Sequence, residues 1–486
     1  MENEINKLNI VSNLLWKLLE RGGTQGVQLV VQIVLARLLL PEDYGVIALV
    51  SIFIVIANVF IQNSFNTALI QKKNANETDF SSIFFLSLFV AGIIYSIIFI
   101  FSPFIADFFR QPMLEPILRV ISIVLFFGAL NSVQLAIIAR KLLFKKLFFV
   151  SLGAIIISGI IGIIMAYKNF GVWALVAQQI INQLLITVIL WFTLKWMPML
   201  VFSFERIKSL FSFGWKLLVS SLIDYIYMDI GTIFIAKMYT SATLGFYNYG
   251  NLIPGSIIKN INSSISSVMF PVLSSQQDNK KIVKSMVRRS IVTSSFFIFP
   301  LMIGLAVISG PFVKIVLTDK WLPAVPFIQI FCIAFALWPI HTANLQAINA
   351  LGRSDIFLKL EIIKKIIGFL ILSITLFYGV IAIALGMVIS GVISSFINAY
   401  PNKNLLNYGY NEQIKDIMPS LLLSLIMGGV VYSIQFLNLK IWLILIIQIF
   451  VGLIIYLGMA KIFKLECFNY LIDTFKVVLN KKEGSK

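Results

Sequence analysis

The sequence predicts an all-α polytopic membrane protein: about fourteen transmembrane helices, two parallel six-helix repeats around a central cavity, and two more helices at the C-terminal end. Three observations predict it. Apolar residues come in long runs, the loops alternate between basic and charge-poor, and the two halves share short matches at a nearly constant offset.

Of 486 residues, 59% are hydrophobic and 12% charged, where a soluble domain is about a quarter charged. A helix needs about 20 apolar residues to cross the hydrocarbon core. Backbone groups in lipid must be satisfied internally, so continuous runs mean helices, and the alternation of a barrel strand is missing. Such segments lie near 13–39, 43–70, 80–106, 114–138, 148–167, 171–194, 211–236, 245–270, 290–313, 323–349, 357–377, 380–400, 414–435 and 440–461.

Loop charge tests this path. The even-numbered gaps carry Lys72 and Lys73; Arg140, Lys141, Lys145 and Lys146; Lys195, Arg206 and Lys208; Lys280, Lys281, Lys284, Arg288 and Arg289; Arg353 and Lys359; Lys403 and Lys415. The odd-numbered gaps carry mostly single charges, such as Arg110, Lys168 and Lys440. The alternation holds throughout, which places both termini in the cytoplasm. The net charge of +18 is then the positive-inside excess and an attraction to anionic lipid rather than a nucleic-acid footprint. External loops are short, and no loop is long enough for a folded catalytic domain. Cys332 and Cys467 fall in or near separate spans, against a disulfide framework or a Cys metal site. His341, the sole histidine, leaves no material for His-based metal sites or a Ser-His-Asp centre and reads as a polar packing residue. The N-terminus lacks the pattern of a removed signal peptide.

The opening of the first span, Trp16-Lys17-Leu18-Leu19, returns at Trp215–Leu218. Ala36-Arg37 followed by Gly45 matches Ala236-Lys237 followed by Gly245. "LAIIARKLLFKKL" resembles "QAINALGRSDIFLKL", and Gly171-Val172-x-Ala174 matches Gly379-Val380-x-Ala382. Each match is weak in so apolar a chain; four in order are not. Both copies start at a cytoplasmic loop, so the repeat is parallel and the chain divides into 1–200, 201–402, two helices over 403–463 and a basic tail over 464–486. Transporters with internal repeats hold substrate between the halves near the midplane.

Polarity within the spans marks the cavity. At 100° per residue, Lys17, Arg21, Gln25, Gln28 and Gln32 fall in an arc of about 80°. The second copy answers with Lys216, Ser220, Asp224 and Tyr227, the eighth span with Asn248, Asn251, Gly255, Lys259, Asn262 and Ser266, and the second span with Ser51, Asn58, Gln62 and Asn66. Ionisable groups at membrane depth are costly against lipid and face a bundle interior or a wet cavity. Lys17 and Lys216 are close enough to cytoplasmic ends to snorkel; Arg21, Asp224 and Lys259 lie deeper. Gln25, Gln28 and Gln32 could instead bond helix to helix, and Gly22-x-x-x-Gly26 reads as close helix packing. Arg37 and Lys237 are anchors at external ends. Glu20 has several possible cationic partners, and Asp229 lies off the Lys216–Asp224 arc. Cationic groups suit phosphate or pyrophosphate, and amides beside them suit sugar hydroxyls.

"GTQGVQLVVQIVLARLLLPEDYG", "LARLLLPEDYGVIAL" (Leu35–Leu49) and "FGVWALVAQQI" (Phe170–Ile180) resemble the Wzx-type polysaccharide-transport flippases of the multidrug/oligosaccharidyl-lipid/polysaccharide exporter superfamily, over nearly the whole chain and most strongly in its first 200 residues. The resemblance implies two six-helix lobes around a central cavity with two extra helices. It implies flipping of an undecaprenyl-pyrophosphate-linked oligosaccharide to the outer leaflet of a bacterial plasma membrane, for O-antigen, capsule, exopolysaccharide or teichuronic-type assembly. Glycan polymerase and glycosyltransferases are the implied partners, and a monomer the implied state. The family's cationic cavity residues carry over to Lys17, Arg21, Lys216 and Lys259; Val59 stands at the repeat equivalent of Lys259, so symmetry does not support that position.

Two other readings stay open. A drug or cation antiporter of the same superfamily would use the acidic Asp224 and Asp229, against a cavity richer in cations. A membrane-embedded polymerase or ligase would need external loops that hold sugars and activate a hydroxyl. No cofactor is expected, and without a phosphate-cradling Gly-rich loop ATP is not used directly. Coupling to H+ or Na+ would fall to Asp224, Asp229 or Glu20; a pyrophosphate moving outward also feels the membrane potential.

Overall fold

The computed structural model describes residues 2–63, 69, 70 and 75–470, with the backbone alone described for 2–15, 17, 18, 21, 63, 209–214, 216, 217, 267 and 268. Every regular element among them is helical. In chain order these are α1 (Glu2–Leu38), α2 (Pro41–Asn58, continued by a π turn over Val59–Asn63), α3 (Glu77–Phe109), α4 (Leu114–Ile121), α5 (Val124–Lys141), α6 (Phe144–Tyr167), α7 (Val172–Leu194), α8 (Phe204–Met238) and α9 (Ser241–Ser274). There follow α10 (Lys280–Val316), a 3-10 turn over Asp319–Ala324, α11 (Val325–Ala336), α12 (Trp338–Ala350), α13 (Ser354–Thr375), α14 (Val380–Leu406), α15 (Tyr410–Ser433) and α16 (Ile441–Ile462).

Among the described residues, eleven segments are long and apolar enough to cross a membrane. The protein is therefore an all-α polytopic membrane protein. The long helices α1, α9 and α13 are not among the eleven; α13 alone carries Asp355, Lys359, Glu361, Lys364 and Lys365. The chain folds as two compact units, 1–245 and 246–486.

In the first unit, α1 packs on α6. Trp16 meets Phe148 and Phe149, each with ring centroids 5.9 Å apart, and Lys145 lies 5.2 Å over the Trp16 ring. Farther along, Val31 occupies the space a side chain at Gly159 would take. The small residue allows the close approach that replaces hydrophobic driving force between helices in lipid. Asn76 caps α3: its side chain accepts from the Asp79 amide at 3.1 Å, and Asp79 accepts from the Asn76 amide at 3.0 Å, a reciprocal capping box. The segment after α7 is tied to this helix start. Trp196 Nε1 donates to Glu77 at 2.8 Å, the Met199 amide to Ser81 at 2.9 Å and the Ser203 amide to Ser82 at 3.0 Å, while Arg206 pairs with the fully buried Asp79 at 3.5 Å.

In the second unit, Val283, Val287, Ile291 and Phe299 of α10 bury against Ile340, Ala343 and Ala347 of α12 and Tyr408. A second cluster packs Phe296 of α10 against Leu423 and Met427 of α15 and Tyr456 of α16. Tyr456 donates its hydroxyl to the Phe296 carbonyl at 2.7 Å.

The spans expected at 114–138 and 323–349 are found as the membrane-length segments Leu114–Lys141 and Asp319–Ala350, each interrupted within its length, near Ser122 and at Leu337. Pro339 at the start of α12 has no amide hydrogen to continue the α11 ladder. The close packing expected of Gly22 and Gly26 is not found: among the described residues nothing lies within 4 Å of a side chain built at either, and the tight position is Gly23, against Phe148. In the second-span stripe, Asn58 and Gln62 crowd Gly128 of α5, so they serve packing inside the first unit. Asn66 lies outside the described residues.

Candidate functional site

The expected site residues are found on three helices. Lys17 and Arg21 fall on α1 and Lys216 on α8, with their side chains outside the described residues. On α1, Glu20 and Gln28 are partly buried and Gln25 is exposed; the Glu20 carbonyl accepts from the Thr24 hydroxyl. The exposed positions Leu19, Gly22, Gln25, Gly26 and Leu29 share one side of the helix, while Trp16, Gly23 and Val31 face α6. Helical spacing places Gln25 on the edge that α6 does not cover.

On α8, Asp224 is exposed and Asp229 partly buried. Only 11% of the apolar stretch of α8 is buried inside the structure, the lowest share of the eleven membrane-length segments. On α9, Asn251 and Asn262 are partly buried and Lys259 is exposed. The Asn251 side chain lies over Gly255, and Asn262 Oδ1 is buried without a hydrogen-bond partner. Lys259 is followed by Asn260, Ser263 and Ser264, also exposed. A charged, amide- and hydroxyl-bearing face on a helix of an otherwise apolar chain needs water or a polar ligand beside it. Such a face can bind phosphate and sugar hydroxyls. The second unit thus carries a polar face on α9, while in the first the described polar positions are Glu20, Gln25 and Gln28 on α1 and Asp224 and Asp229 on α8.

The second unit also holds polar chemistry of which the sequence reading singled out His341 alone, as a polar packing residue. Two rungs join α12 to α14. His341 Nδ1 lies 3.1 Å from Asn398 Nδ2, and about one turn on, Asn402 Nδ2 donates to Asn344 Oδ1 at 2.6 Å. Gln413 of α15 closes the second rung: its amide donates to Asn344 Oδ1 at 2.9 Å, and Asn344 Nδ2 donates back to Gln413 Oε1 at 2.8 Å. Asn344 and Gln413 are wholly buried, so the reciprocal pair satisfies amides that would otherwise be costly. On α13, Lys364 and Glu361 form an ion pair at 2.6 Å with both side chains more than two-thirds buried. Glu361, Lys364, Lys365 and Gly368 are partly buried, while Ile362, Ile363, Ile366, Phe369 and Leu370 are exposed. The helix turns its ionisable face to protein and its apolar face outward. That spacing, readable at i, i+3, i+4 and i+7, is the signal that could have found it.

An apolar groove of about 610 Å³ runs between α9 and α10, with Ile265, Met269, Phe297 and Leu301 among its walls and Arg289 and Tyr470 also lining it. Arg289 stacks 4.5 Å over the Tyr470 ring. Cys332 and Cys467 are buried and free.

At the carboxyl end of α1, the two stretches that carry the resemblance meet. Leu40 donates its amide to Asp43 at 2.9 Å, and a side chain at Gly171, whose φ of +55° favours glycine, would lie 3.5 Å from Asp43 Oδ1. "LPEDYG" and "FGVWAL" are therefore one structural feature.

Comparison with known proteins gives a consistent picture. A family model described as "Polysaccharide biosynthesis protein" matches residues 34–326. The chain is 23% identical over 415 residues to the teichuronic acid biosynthesis protein TuaB of Bacillus subtilis, covering 83% of this chain and 85% of that one. It is 20% identical over 366 residues to the succinoglycan biosynthesis transport protein ExoT of Rhizobium meliloti, covering 75% and 74%. In fold it is similar to the lipid II flippase MurJ in an inward closed conformation, with a TM-score of 0.75 at 17% identity, covering 95% of this chain and 100% of that one.

Proposed function

Because this chain belongs to the polysaccharide biosynthesis protein family, within the Wzx- and MATE-like transporter superfamily, we propose that it flips a polyprenyl-pyrophosphate-linked oligosaccharide across a bacterial plasma membrane. The observation that carries the reading is the polar face on helices of membrane length. Lys259 with Asn251 and Asn262 on α9, and Arg21, Gln25 and Gln28 on α1 with Lys216 on α8, supply cations for a pyrophosphate and amides for sugars. Eleven apolar helices with α1, α9 and α13 make fourteen passes in two lobes of six plus two, with both termini cytoplasmic. Alternating access of these faces would carry the headgroup, and the groove between α9 and α10 would shelter apolar chain. The names of TuaB and ExoT support a surface-polysaccharide cargo of the teichuronic, capsular or exopolysaccharide kind. Polymerase and glycosyltransferases of the same assembly line are the expected neighbours, and the protein works as a monomer.

The test is genetic and chemical. Expressed in a strain lacking its own flippase, with the matching glycosyltransferases supplied, the protein should restore surface polysaccharide and clear the accumulated lipid-linked precursor. Precursor accumulation unchanged at normal membrane abundance, together with efflux of organic cations, would favour the antiporter reading instead.

A further inference from the structure

The groove between α9 and α10 has a cation at one end only, and composition sets the level of that cation. From Val272 to Arg289 the chain carries five lysines and arginines against one acid, Asp278. From Ser290 to Val313 it carries no charge. As a helix that uncharged stretch rises about 36 Å, enough for a hydrocarbon core of about 30 Å. Arg289, the last cation before it, therefore stands at the level of lipid headgroups.

Two neighbouring cations are engaged by acids. Lys284 bonds Glu412 at 3.1 Å, and Arg288 bonds Asp416 and both oxygens of Glu466. Arg289 is exposed and makes no ion pair among the described residues. Its charge reaches Glu466, but both oxygens of that carboxylate already accept from Arg288. The Arg289 guanidinium lies 4.5 Å over the Tyr470 ring. A guanidinium held through its face keeps its in-plane N–H donors for the oxygens of a phosphate.

Beyond Arg289 the walls are apolar, with Ile261, Ile265 and Met269 of α9 facing Phe297 and Leu301 of α10. The hydroxyls that line the groove are turned to protein. Ser290 donates to Met269 Sδ at 2.8 Å, Ser294 donates to the Ser290 carbonyl, and Thr293 bonds Cys467. A chain lying here meets hydrocarbon. From Arg289 to Leu301 α10 rises about 18 Å, and Ile261 to Leu273 is an equal length of α9. One leaflet's share of the hydrocarbon core is about 15 Å. The groove is one leaflet deep, with its cation at the surface end.

The polar face of α9 lies elsewhere. Lys259, the one charged residue of α9, stands about a third of a turn around the helix axis from Ile265. A headgroup that crosses between leaflets needs polar partners along its path, and this groove offers a cation at a single end.

We propose that the groove is a binding site for an anionic phospholipid of one leaflet, its phosphate on Arg289 beside Tyr470 and one acyl chain lying between α9 and α10. The apolar chain sheltered there is then a membrane lipid's and not the cargo's.

Photochemical cross-linking tests the site. The full chain is reconstituted in phosphatidylcholine vesicles containing a minor fraction of phosphatidylglycerol with a diazirine on one acyl chain, irradiated, digested and mapped by mass spectrometry. Cross-links should concentrate in 261–273 and 286–301. Unlabelled phosphatidylglycerol should compete for them, and a phosphatidylcholine bearing the same diazirine should label these segments far less. Arg289→Gln should lower the yield about fivefold, the worth of one cation at a membrane surface, and Arg289→Lys should keep most of it. Lys281→Gln removes the same charge at an exposed position outside the groove and should change the yield by less than twofold. An equal loss in Lys281→Gln, or equal labelling by the phosphatidylcholine probe, reduces the effect to general surface attraction or lipid contact and overturns the proposal. A polyprenyl pyrophosphate that displaces the probe at equal mole fraction, with the same dependence on Arg289, assigns the groove to the cargo and overturns it too. The measurement needs no transport, so its failure leaves the flippase reading untouched.

Discussion

Gly45 and Gly245, equivalent positions of the sequence repeat, are pressed together backbone to backbone. A methyl group on Gly45 would overlap the Ser241 carbonyl and lie 3.1 Å from the Gly245 nitrogen; one on Gly245 would overlap the Pro41 carbonyl and lie 3.3 Å from the Gly45 nitrogen. The contact is nearly symmetric, as two copies of one turn would make it. Next to it, Lys237 donates to the Phe108 carbonyl and lies 4.0 Å over the Phe108 ring, which fixes the expected anchor by a cation–π contact.

Gly45→Ala and Gly245→Ala should each force the two turns apart, at about 1–3 kcal/mol for overpacking. The thermal midpoint of the purified protein should fall in each single variant. The double variant should fall by less than the sum, because the first substitution has already opened the contact. Full additivity would mean the two glycines do not meet.

Asn344→Ala should be more damaging than its size suggests. It removes the donor to the buried Gln413 Oε1 and leaves the Asn402 and Gln413 amide groups only their longer bonds, 3.3 Å each, to the backbone carbonyls of residues 344 and 408, and a buried unsatisfied group costs about 1–3 kcal/mol. Replacing Asn344, Asn402 and Gln413 together by Leu should recover part of the loss. Thermal unfolding in detergent distinguishes the cases.

Arg288 holds α10 to the segment after α16. It bonds Glu466 at 2.8 and 3.0 Å and Asp416 at 3.0 Å, and the Arg288 hydrogen bond holds the Glu466 carboxyl below its ordinary range. A lowered carboxyl contributes to the docked state above its free value and loses that contribution as pH falls through the lowered one. The 465–470 segment should therefore stay docked at neutral pH and loosen only in strong acid. At pH 8, Glu466→Gln should raise labelling of the buried Cys467 by maleimide; equal labelling in wild type and variant would show the segment is held by packing alone.

The α1 face should respond to charge. Arg21→Lys should keep part of the transport, Arg21→Ala should lose about ten- to a hundredfold, from a charge-assisted bond of about 1.5–3 kcal/mol, and Arg21→Glu should abolish it. Lys216→Gln should be nearly silent if that residue only snorkels. Export of lipid-linked glycan at matched membrane abundance is the measurement; wild-type export by Arg21→Glu removes this face from the substrate path.

The helical, membrane-length segments were legible because they depend on local composition. Apolar runs do not need partners to be read. What was misread needed a partner. Asn58 and Gln62 have the spacing of a cavity stripe, and only Gly128 across the helix pair reveals that they pack. Gly22 and Gly26 have the spacing of a packing motif, and only the open space beside them reveals that they do not. Glu361, Lys364 and Lys365 sit near a helix end expected to be cytoplasmic, where positive charge is anticipated for topological reasons and hides a buried ion pair. Asn344 stands on α12 and Asn398 and Asn402 on α14, and nothing short of the fold brings the two helices together.

The stretch from Trp196 to Arg206 bears on how α8 can move. Four side chains at the start of α3, Glu77, Asp79, Ser81 and Ser82, hold it along its length. A slack tether would let the next helix swing freely from its first residue. This one is a bracket, so any swing of α8 in the proposed transport cycle would have its fulcrum beyond Arg206 rather than at its first residue.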